Sequence, residues 1–226
     1  MAISRTQTSE VKIFKRSGPE AVLYDLSQTS CVTITLPPGS RWTSQPHWHE
    51  THTEYLQILQ GRAFVRLGNR TGMYEPGDGV VEVPKYTVHE WHRAALDDQE
   101  ELVVREWTVP EDGQKEAFFR NLNSFLTEPQ PSGMFNTPAV IPRWVRSWLE
   151  KWIIPLQLFC IFRTWDNWPL FVGDDSGLFS WAITHVVLGV SSVFGFVLGL
   201  RGTYGEYVNE ELLARTRGVE NTKKTR

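Results

Sequence analysis

The hydrophobic and polar positions of the chain follow two periods, one before and one after residue 110. In residues 11–108, short runs rich in Val, Ile, Thr and aromatic residues alternate with polar positions and end at turn residues. A period of two predicts strands that turn one face to a core. Many short strands separated by frequent turns predict an antiparallel sandwich or barrel. The predicted strands span residues 31–36, 54–59, 62–67, 79–83, 88–93 and 102–109.

A helical period replaces the alternation after residue 110. Apolar residues recur at helical spacing and predict a helix over residues 111–126 that packs on the barrel. These residues are Phe118, Phe119, Leu122, Phe125 and Leu126. The expected organisation is a barrel with a trailing helix over residues 1–127 and a proline-rich linker over 128–142. A hydrophobic helical region over 143–217 and a disordered tail over 218–226 follow.

The hydrophobic helical region has two interpretations. Trp144, Trp148 and Trp152 line one helical face, and residues 178–200 contain no Asp, Glu, Lys or Arg. That stretch is long enough to cross about 30 Å of hydrocarbon, and Gly195 and Gly199 have the small-residue spacing of packed membrane helices. Residues 143–200 are therefore expected to contact a membrane, with a transmembrane helix within them. The alternative is a soluble helical cap on the barrel or the interface of a homodimer.

Charge and cysteine content narrow the class of protein. The net charge is −3 and there is no basic stripe, so a nucleic-acid partner is not expected. Two distant cysteines favour a reducing compartment. No apolar segment of a secretory signal lies near the N-terminus, so the protein is expected to be cytoplasmic and not secreted. Residues 223–226 resemble a dilysine retrieval signal, which adds an expected association with the endoplasmic reticulum membrane.

Metal-binding residue types cluster within the β region. Five of the six histidines fall between residues 46 and 93. His47 and His49, at i and i+2, point to the same face of a strand. Two imidazoles and a carboxylate on one side of an ion are typical ligands of a divalent transition metal with open positions. The pattern predicts a metal site, whereas the alternative is a polar strand with surface histidines.

The spacing around these histidines resembles the first motif of the cupin superfamily. That motif reads Gly39-x7-His47-x-His49-x4-Glu54-x6-Gly61. The resemblance extends to oxidoreductases of this superfamily found with fungal polyketide and other secondary-metabolite pathways.

A second cupin-like motif, Pro76-Gly77-Asp78 followed by Pro84-x4-His89, lies downstream. Tyr86 stands where the family usually has glycine, Arg93 stands where it usually has asparagine, and one extra residue separates Gly77 from Pro84.

The resemblance implies a mainly β protein, a small antiparallel jelly-roll barrel followed here by a C-terminal hydrophobic α-helical region. It also implies one divalent metal held by His47, His49, Glu54 and His89. Fe(II) is the metal expected first, with Mn, Ni, Cu and Zn as alternatives.

Three further residues are candidates for catalysis. Arg93 shares a strand face with His89 and could clamp a substrate carboxylate or enolate. Tyr86 could reach the site with its hydroxyl. His52 is either a base or alternative ligand, or an exposed loop residue.

The predicted function is a metal-dependent oxidoreductase or oxygenase that acts on a hydrophobic small molecule such as a polyketide intermediate. An apolar lining by Leu56, Ile58 and Trp91 supports a hydrophobic substrate. The alternatives are a redox-neutral metal-dependent isomerase or cyclase, and a non-catalytic binding or scaffold protein.

Overall fold

The structure, a computed structural model, describes residues 5–128 and 143–224. Within these residues the strands form two antiparallel sheets that face each other as a barrel. One sheet has the order β1-β2-β3-β10-β5-β8 and the other β11-β4-β9-β6-β7. The strands are β1 (Ile13–Arg16), β2 (Val22–Asp25), β3 (Val32–Leu36), β4 (His47–Trp48), β5 (Thr53–Gln60), β6 (Ala63–Leu67), β7 (Arg70–Tyr74), β8 (Val80–Val83), β9 (His89–Arg93), β10 (Leu102–Val109) and β11 (Trp168–Pro169). The predicted mainly β barrel with a helical C-terminal region is confirmed.

Alternation of buried and partly exposed side chains fixes the barrel interior. In β3 and β10 every second residue is buried, as expected when one strand face meets a core. Ile34, Leu36, Leu56, Val104 and Trp91 are nearly inaccessible and belong to one continuous core cluster. Full burial of each such aliphatic side chain stabilises the fold by about 1.5–3 kcal/mol.

Each of the six predicted strands is present, and its ends differ from the prediction by at most one residue. The prediction gave no bounds for β1, β2, β4, β7 and β11, although it placed His47 and His49 on a strand. β4 and β11 are each two residues long; β11 pairs with β4, and β4 also pairs with β9. Pairing between residues so far apart in the chain leaves no local periodicity to detect.

Helix α1 (Gln114–Thr127) lies against the six-stranded sheet, and the predicted helix over 111–126 is confirmed. Its start is set by Gly113, which has a φ of 86°, in the left-handed region that favours glycine. The Asp112 carboxylate accepts a hydrogen bond from the backbone N–H of Gln114 at 3.0 Å. Phe118, Phe119 and Phe125 are buried in the core. Helix α1 thus closes one end of the barrel.

Three further helices follow: α2 (Arg143–Thr164), α3 (Leu178–Val197) and α4 (Glu210–Lys224). Helix α2 continues through Pro155 and forms a hairpin with α3. The core cluster of the barrel strands also includes Ile161 of α2, Tyr207 just before α4 and Leu212 of α4. The C-terminal region therefore completes the core of the barrel.

The predicted tail and the predicted linker are the two parts of the C-terminal half where the structure differs from the prediction or does not describe the residues. Helix α4 runs to Lys224, whereas a disordered tail was predicted from residue 218. Residues 129–142 of the predicted linker, and the side chains of Trp144 and Trp148, lie outside the described residues. The division of the chain into domains stays a prediction.

Helix α3 is long and apolar enough to cross a membrane when judged by length and composition alone. Of its most apolar window, 28% is buried inside the structure. Its first turns contact the barrel region: the Thr184 hydroxyl donates to the carbonyl of Pro169, and the Trp181 indole donates to Glu50. Contacts of this kind hold α3 along the side of the protein, so the described packing does not support the predicted transmembrane crossing.

Candidate metal centre

Four side chains from three strands and one loop meet inside the barrel. His47 of β4 lies directly opposite His89 of β9 in the sheet, and Glu54 comes from β5. His49 follows β4 and points to the same place. The ligand atoms of all four residues lie within 4.8 Å of one another, and all four side chains are buried. These are the four residues that the resemblance implies as metal ligands, and the structure brings them together.

The Nδ1 atoms of the three histidines are each fixed by a backbone carbonyl oxygen. His47 Nδ1 donates to the carbonyl of Gln45 at 2.7 Å, and His89 Nδ1 to that of Thr87 at 3.2 Å. His49 Nδ1 donates to the carbonyl of Asp166 at 2.5 Å. Because a carbonyl can only accept, each Nδ1 carries a proton, and Nε2 is the ring nitrogen turned toward the cluster. This arrangement orients metal-binding histidines in proteins.

The cluster fits a metal ion on two further observations. His89 Nε2 is fully buried and has no hydrogen-bond partner among the described residues, which is costly unless a cation binds there. Burial and the neighbouring His89 and His49 hold the pKa of His47 well below its ordinary value. A neutral His47 has its Nε2 lone pair free for a metal near neutral pH.

The carboxylate of Glu54 is charged in spite of its burial. Burial alone would raise the pKa of Glu54, but the Lys115 ammonium and the hydrogen bond from His49 outweigh it, so the pKa lies well below its usual range. Glu54 Oε2 lies 2.7 Å from His49 Nε2 and 2.5 Å from Lys115 Nζ. An anionic carboxylate beside three imidazole nitrogens is a suitable donor set for a divalent transition metal.

Sequence reasoning missed a second buried carboxylate and the cation beside it. Lys115 Nζ also contacts Glu106 Oε2 at 2.9 Å, and the Trp91 indole donates to Glu106 Oε1 at 2.6 Å. Burial lowers the pKa of Lys115 in isolation, but Glu106 and Glu54 raise it overall. Strand parity could have revealed Glu106, because it shares the buried face of β10 with Val104.

A cavity of about 350 Å³ opens over the cluster. His47 forms part of its wall, and Glu106 and Lys115 lie beside it. Most of the remaining wall is apolar or aromatic and comes from the barrel, α1 and α2. The residues of this wall, here called the apolar pocket, include Tyr24, Trp42, Phe118, Phe119, Leu122, Leu126, Leu158 and Phe162. Leu56, Ile58 and Trp91, which were expected to line a cavity, are instead filled core.

The three candidate catalytic residues do not line the apolar pocket. Tyr86 is half exposed and has a φ of 60°, which explains why the resembling family usually has glycine there. Arg93 is buried and donates to the backbone carbonyls of Leu36, Asp98 and Glu100, with no contact to the cluster. Among the described residues, neither these two nor His52 line the apolar pocket.

His52 is buried between two carboxylates, although a loop exposed to solvent was one expectation for it. Its Nδ1 lies 2.9 Å from Asp166 Oδ2, and its Nε2 lies 3.1 Å from Asp112 Oδ2. Burial lowers the pKa of His52, but the two carboxylates raise it above the ordinary value overall. Asp166 also accepts hydrogen bonds from the backbone N–H groups of Glu50 and Thr51. His52 thus ties the C-terminal region to the barrel.

Residues 32–106 match the family model described as the cupin domain. This match covers a third of the chain and includes all four residues of the cluster. With the two antiparallel sheets, it supports assignment of the barrel to the cupin superfamily. No curated protein matches the chain.

Many solved structures also match the fold. The capsular polysaccharide assembling protein CapF of Staphylococcus aureus is 18% identical, with a TM-score of 0.33, over 42% of this chain and 28% of CapF. KdgF of a Halomonas species is 20% identical, with a TM-score of 0.32, over 46% of this chain and 92% of KdgF. The L-ribose isomerase of Geodermatophilus obscurus is 14% identical, with a TM-score of 0.31, over 40% of this chain and 48% of the isomerase. The chain thus spans less than a third of the length of CapF.

Proposed function

We propose that the barrel binds one divalent metal ion and acts as a metal-dependent enzyme on a lipophilic, oxygen-bearing small molecule. One observation carries this proposal: His47, a residue of the cluster, forms part of the wall of the apolar pocket. A molecule in that pocket would lie against the metal centre. Concave sites lined mainly by apolar groups with a few polar groups are typical of small-molecule binding.

The residues that would hold the metal are His47, His49, Glu54 and His89. Bound there, a metal would supply Lewis acidity or activation of O2, and Fe(II) is the metal expected first. Mn, Ni, Cu and Zn suit the same donors. The chain itself orients the three imidazoles through their Nδ1 hydrogen bonds, and it excludes water by burying all four side chains.

The pocket wall supports the substrate class. Phe118, Phe119 and Phe162 provide aromatic surface for a ring or a polyene, and such surfaces pack at offset or edge geometries. The Lys115 ammonium beside the cluster can donate to a phenolate, enolate or carboxylate oxygen of the substrate. A polyketide intermediate of a secondary-metabolite pathway has both features and is the substrate we propose.

We propose oxidation or oxygenation as the reaction, in line with the superfamily members that the sequence resembles. A redox-neutral isomerisation or cyclisation is the second candidate, because Lys115 and Glu106 form a buried acid–base pair beside the cluster. Such a pair could hold and return a proton while the substrate rearranges.

The test compares substrate loss with and without O2. Purified protein is freed of metal, reloaded separately with Fe(II), Mn, Ni, Cu or Zn, and incubated with a panel of lipophilic phenols and β-dicarbonyl compounds. Turnover that consumes O2 supports the oxidoreductase, and turnover under anaerobic conditions supports the isomerase or cyclase. Absence of turnover with every metal would contradict both proposals.

Metal content provides the matched control for this assay. The variant His89→Ala should lose the metal and the turnover because it removes one of four ligands. The variant His92→Ala changes a histidine on the other face of the same strand, which stacks on Phe64, and should retain both. Equal metal content in the two variants would contradict the site.

A further inference from the structure

Helix α3 has its polarity reversed relative to a helix on the surface of a water-soluble protein. Its buried positions are Ser180, Thr184, Leu188, Ser191 and Gly195, and among them Leu188 alone is a large apolar residue. Its exposed positions are apolar, and those at least half exposed are Leu178, Phe179, Val186, Val190, Val193, Phe194, Phe196 and Val197. Surface helices in water normally show the opposite arrangement. Helices in lipid pack through small and hydroxyl residues and turn their large apolar residues outward.

The covered side of α3 is closely fitted to α2. A Cβ atom placed on Gly195 would lie 2.5 Å from Cys160 Sγ, so only glycine allows this approach. The Cys160 thiol lies 3.9 Å from the carbonyl oxygen of Ser191 and can donate to it. The exposed apolar face is therefore what remains after α3 has made its contacts within the protein.

The position of α3 favours a bilayer surface over a bilayer crossing. The His185 ring stacks on Trp168 with the ring centroids 4.1 Å apart, close to where Trp181 and Thr184 meet residues outside α3. The N-terminal half of α3 is thus held against the rest of the protein. A helix held in this way can place its long side in the interfacial layer of a membrane, as amphipathic helices do.

A basic side chain lies in the same surface. Arg163 of α2 lines a groove with Val186, Val190 and Phe194, and it forms no ion pair within the described part of the chain. Helix α3 itself has no acidic residue. If two copies of the protein packed against each other across a twofold axis through this groove, their Arg163 side chains would approach each other. Helix α3 would offer neither of them an acidic partner. Anionic phospholipid headgroups supply the missing negative charge.

We propose that the exposed face of α3, together with Arg163, docks on a membrane surface that contains anionic phospholipids. The face lies in the plane of the bilayer, with its Val and Phe side chains in the acyl boundary and Arg163 among the headgroups. This inference goes beyond the enzymatic proposal and is independent of it.

Flotation of the full chain with vesicles tests the proposal. The protein should float with vesicles of phosphatidylcholine and phosphatidylserine, and it should float less with phosphatidylcholine alone. The triple variant Val186→Gln, Val190→Gln, Phe194→Gln should lose flotation with both. The control variant Met73→Gln, Val80→Gln changes exposed apolar residues of the barrel and should float like the parent.

A second variant separates lipid binding from a folding defect. Arg163→Gln should weaken binding to the anionic vesicles by about fivefold and leave binding to phosphatidylcholine unchanged, because one basic residue near an anionic surface contributes about that factor. A parent that does not float, or a triple variant that floats equally, would overturn the proposal. So would a parent that is a dimer in light scattering, becomes a monomer in the triple variant and never floats.

Discussion

The backbone carbonyl oxygen of Asp166 lies 2.5 Å from Nδ1 of His49 and fixes the orientation of that ligand. Asp166 is placed by its own carboxylate, which accepts hydrogen bonds from the barrel loop at Glu50 and Thr51. Hydrogen bonds from His52 and Thr51 to this carboxylate outweigh the effect of burial and lower the pKa of Asp166. The C-terminal region therefore supports the candidate metal centre although it contributes no ligand.

Replacement of Asp166 should weaken metal binding. In Asp166→Ala the carbonyl remains, but the carboxylate contacts that place it are lost. We expect an affinity lower by about 10–100-fold, the usual effect of removing support behind a ligand. Titration calorimetry with the metal-free protein measures it. Asp97→Ala, at an exposed position, is the control, and equal affinities of the two variants would contradict this role for Asp166.

Lys115 is expected to stabilise the metal-free barrel. In Lys115→Met, the carboxylates of Glu54 and Glu106 remain buried without their shared cation, which should cost about 3–5 kcal/mol of unfolding free energy. Urea denaturation in the presence of a chelator measures this loss. The double variant Lys115→Met, Glu106→Gln should recover part of it.

Added metal gives a second readout at the same site. Because the metal supplies positive charge beside Glu54, it should raise the melting temperature of Lys115→Met more than that of the parent. If added metal raises the melting temperature of Lys115→Met less than that of the parent, Lys115 does not take the place of the metal's positive charge beside Glu54.

His52 should make stability depend on pH. Its pKa is raised above the ordinary histidine value of about 6.5 in the folded protein, since Asp112 and Asp166 outweigh the effect of burial. A raised pKa gives a contribution that is complete below pH 6.5 and is lost as the pH rises through the folded-state value. Unfolding free energy measured from pH 6 upward should fall more steeply for the parent than for His52→Gln. His92→Gln should retain the slope of the parent.

Two glycines of α3 form a matched pair. A Cβ at Gly195 would meet Cys160 Sγ at 2.5 Å, whereas a Cβ at Gly189 would meet nothing within 4 Å. Gly195→Ala should therefore destabilise the protein by about 1–3 kcal/mol through overpacking. Gly189→Ala should stabilise it by about 0.5–1 kcal/mol, because alanine loses less backbone entropy in a helix. Thermal denaturation distinguishes the two, and equal effects would contradict the α2–α3 packing.

The sequence predicted those parts of the protein that depend on local pattern. Strand alternation predicted the barrel, and the resemblance to the cupin motifs predicted the cluster of His47, His49, Glu54 and His89. Lys115 was missed because its role depends on how α1 lies over the barrel, which helical periodicity does not specify. Arg93 was expected to face a substrate, but it donates to carbonyl oxygens of Leu36, in a strand 57 residues away, and of the loop that follows β9. Strand parity does not bring Leu36 to Arg93.

The antiparallel pairing of β11 with β4 has a consequence for biosynthesis. Strand β4 carries His47, and β11 lies about 120 residues further along the chain. Until Trp168 and Pro169 leave the ribosome, β4 lacks its outer neighbour and His49 lacks the carbonyl of Asp166. Contacts this distant in sequence form slowly, since a long loop must close first. The candidate metal centre is therefore completed late in the synthesis of the chain, after every one of its ligands has been made.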